Sequence, residues 1–364
     1  TQVQMGDVLF ILDETGSMQD TLDDVADNFG DVVTEVAALI PSTTFGVASF
    51  DDYNSGTMGA AGDLPYKPWV QQTFATSPVQ AALDTLSADG GADWMESSIE
   101  ALYQAATGYG YDQDCDGNFD ADTDVMPYTP RADDAFGGSA GGWGTSTSTD
   151  QPGDRGGNGF REGAVPILVY ATDATVRNAE APFNAGPNGG STTGCVDANA
   201  PMLQAALAEI DAKAIGVPVA TPDAIAAMEL VAQWTDSWVD LNENGSPDPG
   251  EWMVYPTTDY AITPSVVQGI QEFTQFVTYD LTMDVEDPSG AIADVDPAVM
   301  TDVPAQNTVQ FTVTIAPDGT AGPSVFSNTV YMVPTTLYGD DGVILAEWDL
   351  SFVVTPSAPT TTGS

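Results

Sequence analysis

The sequence predicts an α/β fold, a doubly wound and mostly parallel sheet, followed by a smaller all-β unit. Three observations carry that reading. Short apolar runs alternate with helical patterns from residue 5 to about 278, as strands and crossover helices do in parallel sheets. Several of these runs are continuously apolar, which suits strands buried on both faces. After Phe276 the pattern changes to short alternating segments separated by turn residues, with few helix signals.

In chain order, Val8–Leu12 is the first buried strand. Met18, Leu22, Val25, Phe29, Val33 and Val36 then recur at three- and four-residue spacing, predicting an amphipathic helix. Phe45–Phe50 reads as the next strand, with helices expected over Pro78–Leu86 and Met95–Ala106. The second of these shows Ile99, Leu102, Tyr103 and Ala106 on one face. Val165–Ala171 is another buried strand. Helix 201–212, strand 214–219, helix 222–234, a short strand at 252–255 and helix 264–277 complete the first domain, residues 1–278. Beyond it, Tyr279–Val285, Thr308–Ile315, Ser327–Val333 and Trp348–Val354 predict an Ig-like β-sandwich over 279–355. The Pro/Thr/Ser/Gly-rich tail 356–364 reads as a linker. Two insertions, 109–162 and 177–200, are too long for ordinary connections.

Composition narrows the function. With 54 acidic residues against 6 basic ones the formal net charge is −48, which argues against nucleic acid and anionic membrane surfaces as partners. Dedicated cation binding and solubility in a salt-rich setting both remain as reasons for the excess. No apolar run reaches the ~18 residues of a membrane span, and no leader-like pattern opens the chain, as expected of a mature product. Histidine is absent, which removes Ser-His-Asp and Cys-His nucleophile systems and His-ligated zinc. No nucleophile–base pair can be assembled, so an enzyme is not expected. The two cysteines, Cys115 and Cys195, sit in polar, Gly-rich segments. They read as one disulfide in an oxidising compartment, the alternative being two unpaired thiols.

The densest chemical signal follows the first strand. Asp13, Thr15 and Ser17 alternate through a strand-to-helix turn, where an open α/β sheet binds ligands at the carboxyl ends of its strands. Carboxylate and hydroxyl oxygens suit a hard cation, Mg²⁺, Mn²⁺ or Ca²⁺, rather than zinc. The competing reading is a helix N-cap, with Ser17 capping and Asp13 balancing the helix dipole.

The segment Asp13–Ser17 resembles the Asp-x-Ser/Thr-x-Ser motif of von Willebrand factor A-type domains, the metal-ion-dependent adhesion site, and within that superfamily the inserted domain of integrin β subunits. Gly90–Glu96 resembles the integrin β loop that supplies a glutamate, which would be Glu96. Ile167–Ala174 resembles the strand and loop that supply the last aspartate, which would be Asp173. The resemblance spans roughly residues 3–278. It implies that Thr15, Ser17 and Glu96 touch the cation, Mg²⁺ or Mn²⁺, while Asp13 and Asp173 hold it through waters. One coordination position would stay open for the carboxylate of a protein or other ligand. It also implies two flanking ions. One would use Asp20, here followed by Thr21 rather than an acid. The other would use Asp52 and Asp93, with Gly91 and Met95 where the family has asparagine and proline. Solvated surface acids are the alternative for both.

Two further stretches carry calcium-loop spacing. Asp240, Asn242, Asn244, Ser246, Asp248 and Glu251 fall at loop positions 1, 3, 5, 7, 9 and 12, with Gly245 at the sharp turn. Asp112, Asp114, Asp116, Asn118 and Asp120 begin the same way around Gly117. Position 12 there is Thr123, which leaves the closing ligand open between Asp122 and Asp124. Strands of this fold run toward the central site, so both loops should start at the opposite pole, where Ca²⁺ would stiffen the junction with the C-terminal domain. Pairing Cys115 with Cys195 would require the first insertion to climb the domain.

The leading expectation is an extracellular or cell-surface, metal-dependent adhesion or ligand-binding module. The alternatives are a calcium-stabilised subunit of a surface layer, filament or appendage that self-assembles, and an intracellular chaperone-like domain attached to metal-chelatase machinery. Calcium loops and paired cysteines count against the last, since the cytosol is reducing and poor in Ca²⁺.

Overall fold

The computed structural model describes residues 5–40, 42–127, 153, 155–178, 185–188, 195–242, 244–276, 278–287, 290, 292–304, 309–315, 329–339 and 344–354. About half of each insertion (128–152 and 154; 179–184 and 189–194) and the tail 356–364 lie outside the described residues. The chain divides into two compact units, one of Val3–Phe276 and one built from Val277–Ser364 with Thr1–Gln2.

The first unit is a doubly wound α/β layer. Strand β1 (Met5–Asp13) is central and pairs in parallel with β2 (Ser42–Phe50) on one side and β5 (Val165–Thr172) on the other. Beyond β5 lies parallel β7 (Lys213–Pro218), and beyond β2 lies antiparallel β3 (Lys67–Thr73), giving the order β3-β2-β1-β5-β7. Val8, Leu9, Phe10, Ile11 and Leu12 are all fully buried, because helices cover both faces of a parallel sheet. The predicted strand at 252–255 appears as single parallel bridges from Gly216 to Val254 and from Val219 to Thr257.

Among the described residues, six helices pack on the sheet: α1 (Gln19–Leu39), α2 (Thr76–Leu83), α3 (Ser98–Thr107), α4 (Ala200–Glu209), α5 (Pro222–Trp234) and α6 (Thr263–Phe276). In α1 the buried stripe runs Leu22, Val25, Phe29, Val32, Val36. Val32 rather than the expected Val33 faces the core, which keeps the 3.6-residue period unbroken. Met95 and Glu96, expected as helix, form a two-residue strand β4 paired with β6 (Thr175–Val176). That pairing joins two of the loops that matter below.

The second unit is antiparallel throughout. Its larger sheet has the order β10-β8-β12-β13, built from β8 (Thr278–Val285), β10 (Val299–Pro304), β12 (Thr329–Tyr338) and β13 (Ile344–Val354). A smaller sheet pairs β9 (Ile292–Asp296) with β11 (Thr312–Ile315). Leu281 and Leu337 anchor a small core with Met283, Phe311 and Ala346. Strands β9 and β10, absent from the sequence reading, complete a sandwich-like unit.

Candidate metal centre

The sheet order reverses between β1 and β5, since the chain lays β2 and β3 on one side of β1 before returning to the other. A crevice outside the strand ends is expected at that switch point. Asp13 ends β1 there and Thr172 ends β5. The Thr172 hydroxyl donates to Asp13 Oδ2 at 2.5 Å, and the Thr15 amide donates to Asp13 Oδ1 at 2.7 Å. The Ser17 hydroxyl donates to Asp173 Oδ1 at 3.0 Å, bringing together residues 156 positions apart.

Glu96 arrives from the third loop. Its approach is set by Gly91, whose φ of 66° favours glycine; a Cβ there would stand 3.1 Å from Thr15 Cβ and 3.2 Å from Glu96 Oε1. The same loop is tied down by Asp63, which accepts from the Gly91 amide at 2.7 Å, and by the Asp89 amide donating to the Glu14 carbonyl at 2.8 Å. Asp13, Thr15, Ser17, Glu96 and Asp173 thus converge from three loops.

The electrostatics of this cluster call for a cation. Asp13 is fully buried and Glu96 nearly so. Burial pushes Asp13 up to about 7, although hydrogen bonds from Thr172 and Thr15 pull it down. Burial, then the charges of Asp13 and Asp52, push Glu96 up to about 11. Asp173 is raised by burial against the Ser17 hydrogen bond. Glu96 Oε2 is buried and has no hydrogen-bond partner among the described residues. Buried polar atoms are almost always satisfied, so this orphaned oxygen, on a carboxylate that faces Thr15 across Gly91 and feels the charge of Asp13, fits a divalent ion. Such an ion would offset the desolvation that raises all three acids. The N-cap alternative fails locally: Met18 stands at the cap position of α1 with no side-chain capping hydrogen bond.

The acids assigned to flanking ions fare differently. Asp20 is exposed on the first turn of α1. Asp52 and Asp93 come together, but on a guanidinium: Arg177 Nη2 lies 2.6 Å from Asp52 Oδ2 and 2.7 Å from Asp93 Oδ1. The charge expected from a second flanking cation is supplied by Arg177, so that expectation is corrected. Next to it, Lys67 on β3 ion-pairs with Asp51 and Glu14.

Both acidic loops adopt the same turn. In one, the Asp240 carboxylate accepts from the amides of Asn244 (3.0 Å) and Gly245 (2.7 Å). In the other, Asp112 accepts from Asp116 (3.2 Å) and Gly117 (2.8 Å). The turn glycines have φ of 74° and 87°. Glu251 closes the first loop, accepting from the Asn242 and Asp248 amides at 3.3 and 2.8 Å. Asp124 closes the second in the same way, accepting from Gln113 and Asp120 at 2.9 and 2.8 Å. Of the two candidates Asp122 and Asp124, the buried Asp124 therefore takes that place, one residue later than in the standard loop. Oxygens of Asp112, Asp114 and Asp116 lie within 4.8 Å of one another. Asn242 and Asn244 both donate to Asp248, at 2.9 and 2.7 Å, and Ser246 donates its amide to Asn244.

Their locations differ. The loop 240–251 springs from the start of β7, where Ser237 Oγ accepts from the Ala214 amide and Val239 bonds Glu251; that is the pole opposite Asp13, as expected. The loop 112–124 does not stay at that pole. Gly110 folds back onto Gln104 of α3, and the Asn54 amide beyond β2 donates to Gln113 Oε1 at 2.8 Å. The first insertion climbs α3 to the pole of the central site, where Cys115 and Cys195 form a disulfide with Cα atoms 5.7 Å apart. The shared-pole expectation is thus corrected for this loop.

No family model and no curated protein match the chain. Among solved structures, two crystal forms of proximal thread matrix protein 1 from the mussel byssus are similar at 10% identity and a TM-score of 0.38. A third structure of that protein, with a zinc-occupied MIDAS motif, gives 0.37. Each match covers 78% of this chain and 50% of the other, so the chain spans half the length of the byssus protein. Likeness at this level adds nothing to the geometry of the site.

Proposed function

We propose that this chain is an extracellular ligand-binding module whose central site holds Mg²⁺ or Mn²⁺ and offers one coordination position to a carboxylate of its partner, with Ca²⁺ in the two acidic loops. The observation that carries the reading is the orphaned, buried Oε2 of Glu96, whose carboxylate faces Thr15 across Gly91 and feels the charge of Asp13. When bound, the ion would act as a Lewis acid toward an anionic partner group. Thr15, Ser17 and Glu96 would touch it, while Asp13, fixed by Thr172 and the Thr15 amide, would orient the hydroxyls. The Cys115–Cys195 disulfide supports an oxidising compartment, and no described helix is long and apolar enough to cross a membrane.

A carboxylate probe tests the ligand-facing part. Acetate titrated into the Mn²⁺-loaded protein should displace metal-bound water and lower water-proton relaxation. Unchanged relaxation at saturating acetate would show that no exchangeable position faces solvent. One observation favours the structural-subunit reading: the loop 240–251 lies at the far pole, where ligand capture has no use for it. Calcium-dependent self-association that survives Asp13→Ala would favour that second reading.

A further inference from the structure

We infer that Arg177 is a built-in cation that positions Glu96 for the central metal, doing without any ion between Asp52 and Asp93. The inference rests on the proposed metal site and concerns how its glutamate is held.

Three acidic residues gather at Arg177: Asp52 and Asp93, which its guanidinium pairs with, and Glu96, whose carbonyl accepts from its amide. Among the described residues, Arg177 is the cation paired with Asp52 and Asp93. Lys67, the other cation near this pole among the described residues, is committed to Asp51 and Glu14. With 6 basic residues in the whole chain, a buried arginine at this spot is a costly choice that needs a local reason. Arg177 is 3% exposed and Asp52 fully buried. Arg177 Nε donates to both oxygens of Asp52, at 2.8 and 2.7 Å, while Nη2 spans Asp52 and Asp93. The Tyr53 amide donates to Asp52 at 2.7 Å, so this anchor is itself fixed.

The connection to Glu96 is direct. The Arg177 amide donates to the Glu96 carbonyl at 2.9 Å, and β6 pairs with β4. Asp93, three residues before Glu96, accepts from the Met95 amide at 2.9 Å while holding the guanidinium. One residue therefore clamps both ends of the segment that delivers Glu96. A divalent ion between Asp52 and Asp93 would do the same work but would make the central site depend on calcium supply. A covalently attached guanidinium removes that dependence, and its planar fork suits two carboxylates better than an ammonium would.

The test is Mn²⁺ affinity of the full chain, followed by electron paramagnetic resonance, together with Ca²⁺ stoichiometry. Arg177→Ser should weaken the Asp13-dependent Mn²⁺ site by about tenfold or more without calcium, as loss of an orienting partner does. Calcium should then bind at one extra place, restore much of the Mn²⁺ affinity, and lose both effects when Asp52→Asn is added. Arg177→Lys should fall between wild type and Arg177→Ser. If Arg177→Ser does not fold, Asp93→Asn, at a partly exposed position, should weaken Mn²⁺ severalfold. Mn²⁺ affinity within twofold of wild type in a folded Arg177→Ser or Asp93→Asn protein overturns the inference. So does a wild-type Ca²⁺ ion that Asp52→Asn removes. Absence of any Asp13-dependent Mn²⁺ site in wild type would instead remove the proposed function, and the inference with it.

Discussion

The central site and the two acidic loops both gather carboxylates, yet they satisfy them in opposite ways. Around Asp112 and Asp240 the acids are largely exposed and cap amides of their own turns. These loops are hydrogen-bonded units to which a bound ion would add stability. Asp13, Glu96 and Asp173 are pulled out of water, raised in pKa, and in Glu96 left with an unpartnered oxygen. Burial strains the acids of the central site electrostatically. An ion in the loops should therefore read out as stability, and one in the centre as a switch in what the surface can bind.

The largest effect that could break this contrast is at Asp13. Asp13→Asn should abolish one Mn²⁺ or Mg²⁺ site outright in a calorimetric titration, while leaving the metal-free protein as stable as wild type or more so. A large loss of metal-free stability would mean that Asp13 serves the fold instead. Next in size is the disulfide. Cys115 and Cys195 are 80 residues apart, so Cys115→Ser with Cys195→Ser should cost roughly 4 kcal/mol by chain entropy, measurable in denaturant unfolding. The loop 112–124 should weaken for calcium at the same time, whereas 240–251 should not.

A smaller effect separates structural calcium from the centre. Glu251→Gln should remove the stabilisation by excess Ca²⁺ that comes from the far-pole loop, about 2–3 kcal/mol at 100 times the dissociation constant. The Mn²⁺ site should be untouched, a result that thermal melts in each ion would read directly.

pH sharpens the comparison further. Burial lifts Asp13 to about 7 and Glu100 to about 7, against about 4 in an unfolded chain. Between those values the native state holds more protons than the unfolded one, so stability falls as pH rises from 4 through 7. The chelated protein should lose melting temperature across that window. Mg²⁺ should cancel the parts due to Asp13 and Glu96, and Glu100→Gln should remove a share of the remainder, since burial also raises Asp51 to about 7 and Asp52 to about 6. The smallest difference is between Asp124→Asn and Asp122→Asn: only the first should weaken calcium in the loop 112–124, by roughly tenfold, since it closes that loop.

Much of this was legible in the chain. Val8–Leu12 followed by Asp13, Thr15 and Ser17 is a local pattern, and local patterns carry both the strand and the ligand turn. Strand β3 was not visible, because Lys67, Gln71, Gln72 and Thr73 make it polar; it is an edge strand whose buried Gln72 bonds Thr44 and the Val8 carbonyl. Thr172 and Arg177 escaped for a different reason, and Asp124 stood only as one of two candidates beside Asp122. Each acts on a partner chosen by tertiary structure, 159 residues away for Thr172 and 125 for Arg177, or by a one-residue shift of the loop. A basic residue in so acidic a chain was the available clue to Arg177.

The most direct test of the account is the metal content of the chelated, dialysed protein after reloading with Mn²⁺ alone, for wild type and Asp13→Ala. The account predicts one tightly held Mn²⁺ in wild type that Asp13→Ala lacks, with both proteins folded. Equal Mn²⁺ content in the two would contradict it and return Asp13–Ser17 to the role of an ordinary strand-to-helix turn.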